Sequence, residues 1–353
     1  MKKMTILHYL ASPFWGGGEK YVYDLASKML DDGHCVAVYS FDNEIIKGQF
    51  DKLSKYPLFN FILKKKHFLP NLFQLISIVN KQKIDIVHIH NTKTLFVAAL
   101  AKCLSHKKFK LVMTIHLVKK SKNNLIRKWE TSKVDKIIFV SRLAADKYLQ
   151  NSDIQKDKVE IVWNSVPSDT TVVQNDYTGN EICFVGRLAP EKGVDILIDA
   201  LSKTKSDCRL NVVGNGDEVY VASLKQKVAE LNLSDRVNFV GFTTDIGTFI
   251  ENSLFGVLPS AAPEAFGLSN IEFMRHGKVQ ITTNNGAQKE YLEDMNSGVL
   301  INPANSDILA EKIDFLVQNP QLCKEMGENA KSFFEKELSY ERFYNKILKV
   351  YAE

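Results

Sequence analysis

Two pairs of charged side chains in the second half of the sequence have the types and spacing to hold a ligand. Arg187 and Lys192 fall in the run Gly186-Arg187-Leu188-Ala189-Pro190-Glu191-Lys192-Gly193. The apolar stretch Ile182–Val185 precedes it, and Val194–Leu201, with apolar residues at helical spacing, follows. A loop between a strand end and a helix start suits a diphosphate: arginine brings a planar fork to phosphate oxygens and lysine a point charge. A cation roughly 4 Å from an anion contributes on the order of 4 kcal/mol at an effective dielectric of about 20, before desolvation losses. Fixed positive charge of this kind acts most strongly where negative charge builds on a departing group. The alternative for the pair is ordinary exposed charge at a helix end.

The second pair is Glu264 and Glu272, separated by seven residues within LPSAAPEAFGLSNIEFMRHGKVQITTNNGAQKEYL, residues 258–292. Glu264 follows Pro263 among small residues, which predicts a turn. Phe266-Gly267 then opens a short helix through Leu268 to Arg275, with Gly277 as its stop. Free backbone N–H groups at a helix start attract anionic or hydroxyl-rich ligands. One carboxylate lies just before that start and the other about a turn inside it, so the two can grip different hydroxyl-bearing parts of one ligand. The competing reading makes Ser269 and Glu272 a capping box and leaves Glu264 solvated.

The first half supplies a glycine cluster and three histidines. TILHYL, residues 5–10, reads as a buried strand, and Gly16-Gly17-Gly18-Glu19 opens a helix carrying Val22, Leu25, Ala26, Met29 and Leu30. Consecutive glycines let backbone or ligand approach closely at a helix N-terminus. His88 and His90 belong to the strand-like IDIVHIH, residues 84–90, and His116 ends KLVMTIH, residues 110–116. Strand ends gather ligands in doubly wound sheets, and His88, His90 and His116 all stand at such ends; a histidine there is more often packed or at the surface, the reading for His88 and His90.

To position these groups the chain must build two α/β layers. Branched apolar runs of four to six residues alternate with helical stretches through both halves, the pattern of parallel sheets covered on both faces. At 353 residues, 45% hydrophobic and 25% charged, the chain has ample core for two domains. The polar stretch SVPSDTTVVQNDYTGNE, residues 165–181, is the expected boundary. Gly214-Asn215-Gly216 is an incomplete dinucleotide fingerprint, with Val219 where its last glycine belongs. Five scattered cysteines include no C-x-x-C pair, so neither a disulfide framework nor a zinc site is expected. No apolar stretch is long enough to span a bilayer.

Together these runs resemble the retaining glycosyltransferases of family 4. Glu264-(seven residues)-Glu272 with Phe266-Gly267, the Gly-Arg-x-x-x-x-Lys-Gly run at 186–193, and the Gly-Gly-x-Glu loop at 16–19 stand in the family's order over nearly the whole chain. The resemblance implies the GT-B architecture, two Rossmann-like doubly wound domains facing across a cleft. It implies an acceptor-binding domain at 1–165, a nucleotide-sugar-binding domain at 166–338, and a helix at 339–353 returning to the first domain. It further implies that Arg187 and Lys192 hold the diphosphate and Glu272 the ribose. Glu264, with the backbone of Phe266, Gly267 and Leu268, is then expected to hold the sugar. His116 is expected to hydrogen-bond the donor sugar, and Gly16 and Gly17 to face the donor phosphates. The chain departs from the family at Asn164-Ser165-Val166-Pro167, in the hinge, and at Asn285-Gly286-Ala287-Gln288, in a donor-contacting loop.

The expected reaction is transfer of a sugar from a nucleoside-diphosphate-sugar, with UDP the expected nucleotide, to an acceptor hydroxyl with retention. No cofactor and no metal are expected: the sequence has no D-x-D, and Arg187 and Lys192 stand in for the ion clamp. A glycan or lipid-linked acceptor in bacterial surface polysaccharide or glycolipid assembly fits family habit. The rival readings are a nucleotide-sugar epimerase of the same architecture and a non-catalytic binding subunit. Phe59–Phe73 (FNFILKKKHFLPNLF) interleaves Lys64, Lys65, Lys66 and His67 with aromatics, and Lys119, Lys120, Lys122, Arg127 and Lys128 form a second basic group. A solvated loop is one reading of these; peripheral contact with an anionic membrane, from the cytoplasmic side, is the other. No nucleic-acid-binding motif accompanies the charge.

Overall fold

The computed structural model describes residues 3–12, 15–41, 43–53, 58–61 (backbone), 67–167 and 179–353. These form two compact units, Met1–Asn164 with Glu341–Glu353, and Ser165–Tyr340. Lys64, Lys65 and Lys66, and most of the 165–181 boundary stretch, lie outside the described residues.

In the first unit, β1 (Thr5–Tyr9), α1 (Gly17–Asp31), β2 (Cys35–Phe41), α2 (Glu44–Phe50) and β3 (Leu58–Phe61) are followed by α3 (Phe68–Lys81) and β4 (Ile86–Ile89). Then come α4 (Leu95–Leu104), β5 (Lys110–Ile115), α5 (Leu125–Ser132), β6 (Lys136–Phe139), α6 (Arg142–Leu149) and β7 (Val159–Ile161). The strands pair in parallel in the order β3-β2-β1-β4-β5-β6-β7. The second unit runs β8 (Glu181–Val185), α7 (Val194–Lys203), β9 (Arg209–Val213), α8 (Glu218–Glu230), β10 (Val237–Gly241), α9 (Gly247–Glu251) and β11 (Phe255–Leu258). It continues with α10 (Leu268–Arg275), β12 (Gln280–Thr283), β13 (Val299–Ile301), α11 (Ser306–Gln318) and α12 (Pro320–Glu337). Its strands pair in parallel in the order β10-β9-β8-β11-β12-β13.

Both sheets are therefore doubly wound and reverse direction once, between β1 and β4 and between β8 and β11. Crevices at such reversals are where open α/β sheets take ligands. The central strands are apolar on both faces, as sheets covered by helices require. Leu72, Leu75 and Val79 of α3 and Ala98 and Ala101 of α4 pack with Val87, Leu111 and Ile137 in one core. Val194, Leu197 and Leu201 of α7 pack with Phe184, Val212, Val257 and Leu309 in the other. The last helix, α13 (Tyr340–Ala352), lies against the first sheet: the Tyr351 hydroxyl meets His88 Nδ1 at 2.7 Å and Lys110 Nζ donates to Val350 O at 2.6 Å.

Candidate active site

Three loops at carboxyl ends of the second sheet meet around Lys192 and Glu264. The first follows β8. Its Gly193 sits at φ 71°, and a Cβ there would lie 2.2 Å from Pro259 O, so only glycine lets this loop close on the next. Ala262 N donates to Glu191 O at 3.2 Å, joining the loop after β8 to the loop after β11. The third follows β12: Ala287 N donates to Glu264 O at 2.9 Å.

Within this junction Lys192 Nζ donates to Glu264 Oε1 at 2.6 Å, and Ser260 Oγ donates to the same oxygen at 2.6 Å. The sequence singled out Lys192 and Glu264 separately, 72 residues apart; the fold makes them partners. Arg187 pairs with Glu191 on the exposed side of its own loop. Glu191's own backbone N–H is the main influence holding its carboxyl below the ordinary value, and Arg187 adds to it. Each cation thus comes with an acidic partner, which the sequence reading did not provide for.

The helix α10 begins as the sequence predicts, but its cap is different. Gly267 is the N-cap at φ 85°, and no side chain caps the helix, so the Ser269–Glu272 capping box does not form. At the other end Gly277, at φ 67°, is the stop: Gly277 N donates to Met274 O and Lys278 N to Phe273 O. Glu272 is buried and lies 2.9 Å from Arg275 Nη2, one turn on. Arg275 also donates to Pro167 O at 2.8 Å.

A buried polar brace that the sequence reading missed holds the loop from behind. Tyr291 donates its hydroxyl to Phe266 O and accepts from Asn270 Nδ2 at 3.0 Å. Thr283 Oγ1 donates to Ser260 O at 3.0 Å, and Gln280 Nε2 to Asn270 O at 2.7 Å. Unpaired, these groups would each carry a desolvation cost, so the loop's path is fixed by their pairing.

In the first unit Gly16 is the N-cap of α1. Glu19, in its first turn, is buried; burial raises its carboxyl pKa, against hydrogen bonds from its own N–H, from Ser12 and from Gly16. The amides of the glycine loop are thus partly engaged by Glu19. His116 stands directly after β5, its pKa lowered to about 4 by burial and by the charge of Lys119. His88 and His90 are buried, as expected of packed residues, and His8 joins them. Register pairing of His8 with His88 puts His8, His88 and His90 on one face of the sheet. Among the described residues, His8, His88 and His90 are a group whose donor atoms, within 4.8 Å of one another, could meet a metal ion. Both nitrogens of His88 are instead hydrogen-bonded, to Tyr351 and Thr114 at 2.7 Å each, and both of His90 meet other histidines.

The basic group at 119–128 borders an apolar surface. Phe68, Phe96 and Trp129 contact one another in series across α3, α4 and α5, at 5.6 and 5.8 Å between ring centroids. Around them Phe73 is 63% exposed, Leu125 84% and Ile126 62%. No helix among the described residues is long and apolar enough to cross a membrane.

Residues 169–333 match the family model of glycosyl transferases group 1, and residues 15–170 match that of glycosyltransferase family 4. The chain belongs to these glycosyltransferases. An uncharacterised glycosyltransferase of Methanocaldococcus jannaschii is 29% identical over 97% of this chain and 95% of its own. The N-acetyl-alpha-D-glucosaminyl L-malate synthase of Bacillus anthracis is 24% identical over 88% of this chain and 83% of its own. Among solved structures, Anabaena HepE in complex with UDP and glucose aligns with a TM-score of 0.85 at 21% identity, covering 99% of each chain. A Rickettsia africae glycosyltransferase aligns at 0.84 and 24% identity, covering 99% of this chain and 98% of its own. The fold is GT-B, two Rossmann-like domains, as the resemblance implied.

Proposed function

We propose that this glycosyltransferase takes its sugar from a UDP-sugar, without a metal ion, and delivers it with retention to a hydroxyl of a glycan or lipid-linked acceptor. Bacterial surface polysaccharide or glycolipid assembly is the setting this reading favours. The observation that carries it is the meeting of Lys192 and Glu264 at 2.6 Å beside the reversal between β8 and β11. A cation for phosphate and a carboxylate for sugar hydroxyls stand within one ligand's reach of each other. The UDP and glucose bound by HepE support the choice of nucleotide.

In this reading Arg187 and Lys192 take the diphosphate, Glu272 the ribose, and Glu264 with the backbone of Phe266, Gly267 and Leu268 the sugar. Gly16 and Gly17 approach the donor phosphates, and His116, neutral at pH 7, hydrogen-bonds the donor sugar. The bond from the anomeric carbon to the diphosphate oxygen breaks as the acceptor oxygen bonds on the same face. The acceptor proton passes to the departing phosphate, so no side chain need be a nucleophile. Stabilising the phosphate's growing charge is the task for which preorganised cations are most effective.

The test is thermal shift with UDP, GDP, ADP and CMP in buffer containing EDTA, followed by hydrolysis of sugars carried by the preferred base. UDP at 100 times its Kd should add about 2.7 kcal/mol of stability. No shift with any nucleotide would remove the reading, and a strict need for Mg²⁺ or Mn²⁺ would remove its metal-free part.

A further inference from the structure

We infer that His8 and His90 are positioning residues for His116: the three rings form a one-way hydrogen-bond chain that keeps the His116 proton on Nδ1. The inference rests on the proposed role of His116 at the donor sugar, and adds how that ring is prepared for it.

The chain has two links. His8 Nδ1 lies 3.1 Å from His90 Nε2, and His90 Nδ1 lies 3.3 Å from His116 Nε2. Burial holds all three rings neutral near pH 7, so each carries a single N–H. His90 must therefore donate through one nitrogen and accept through the other, and both links run in the same direction.

Two directions exist, and the far end of the chain decides between them. His8 Nε2 is buried with no hydrogen-bond partner among the described residues. If the chain ran from His116 towards His8, that nitrogen would be a buried, unpaired N–H. Run the other way, it is a bare lone pair. Buried orphan N–H donors are the rarer of the two in folded proteins. His8 Nδ1–H then donates to His90 Nε2, and His90 Nδ1–H donates to His116 Nε2. His116 is left with its proton on Nδ1, a donor suited to the lone pair of a sugar oxygen.

Neighbouring side chains hold His90 and His116 in place. His88 lies tilted against His90 with ring centroids 4.1 Å apart, and is fixed by Thr114 and Tyr351. Tyr21 meets His116 edge-on at 4.8 Å. A ring so confined keeps one orientation, which leaves the proton position as its remaining freedom; His8 and His90 remove that.

The experiment is a long-range ¹⁵N–¹H correlation on ¹⁵N-histidine-labelled full-length protein at pH 7.5, with the His116 pattern identified by its loss in His116→Gln. A pyrrole-type Nδ1 and a pyridine-type Nε2 for His116 are expected. The reverse pattern overturns the inference in the unaltered protein, with no variant needed. His8→Phe keeps a ring but removes the donor, and should lower sugar-transfer turnover about tenfold or more, as loss of ring-orienting partners does. His8→Asn, which restores an N–H near Nδ1, should recover most of that rate. Equal loss in both variants would reduce His8 to packing and overturn the positioning role. Normal transfer by His116→Gln, with the Nδ1 proton found as expected, would refute the sugar contact while the chain stands.

Discussion

An ammonium group has three donors, and Lys192 spends one of them on Glu264. The pair is partly shielded, its side chains 25% and 17% exposed, so an arriving phosphate need not break it: Lys192 can bridge carboxylate and phosphate. Arg187 and Glu191 are more open, 56% and 43% exposed, and such pairs contribute about 0–1 kcal/mol. A diphosphate can displace Glu191 at little cost and claim the guanidinium. On the proposed reading the two cations differ, Lys192 being preset by its carboxylate and Arg187 recruited by the ligand. Arg187→Ala should lower kcat of sugar transfer about 100-fold or more, on the scale of removing one transition-state contact. Glu264→Ala should do the same and also raise KM for the donor, since it frees Lys192 as well. Glu191→Gln should leave turnover nearly unchanged. Steady-state kinetics with the donor identified by thermal shift decide the matter; near-normal kcat in either alanine variant would sink the assigned role.

At the scale of elements, α5 is the one whose exposed side invites explanation. Asn124 caps it by accepting from Arg127 N at 2.8 Å, yet Leu125 and Ile126 in its first turn stay in water. Lys119, Lys120, Lys122 and Lys128 lie close by in sequence, the composition of a surface that meets anionic lipid. Leu125→Asp with Ile126→Asp should weaken sedimentation with vesicles of anionic phospholipid at least tenfold, since burying either side chain contributes roughly 1.5–3 kcal/mol. The UDP thermal shift should not change; vesicle binding equal to the parent chain would dismiss this face. The charges here are legible in the sequence but the helix is not, because eight residues with five polar members are too short for a sustained period. For similar reasons α2, α9 and the short strands β3 and β13 carry no readable period in the sequence. The long α1, α8, α11 and α12 and the central strands were legible because apolar period and length agree there. The site was legible as separate loops, since glycine and charge patterns are local. The Lys192–Glu264 contact and the Tyr291 brace depend on loops meeting across 72 and 25 residues, which spacing alone does not encode.

For the whole molecule, the distribution of histidines with lowered pKa values and of tryptophans makes the two units distinguishable in acid. His8 and His116 have pKa values lowered from 6.5 to about 3 and about 4 by burial, and those of His88 and His90 lie well below 6.5. All four belong to the first unit. A lowered value means the native state refuses the proton that the unfolded chain accepts. Between the native and unfolded values the unfolded state binds more protons, so stability rises with pH and is lost as pH falls below about 6.5. At pH 5 His8 and His116 each cost on the order of 2 kcal/mol, together most of the lower end of a domain's margin of about 5–15 kcal/mol, and His88 and His90 act in the same direction. Trp15, Trp129 and Trp163, the three tryptophans of the sequence, also fall in the first unit, so their fluorescence reports on that unit alone. On titration from pH 8 to pH 4, tryptophan emission should change at a higher pH than the later part of the far-ultraviolet dichroism, which includes the second unit. His88→Gln with His8→Phe, which removes two of the four groups, should move the fluorescence midpoint to lower pH. Coincident transitions for both probes, or an unmoved midpoint in that variant, would show that burying these rings does not set the acid limit of the fold.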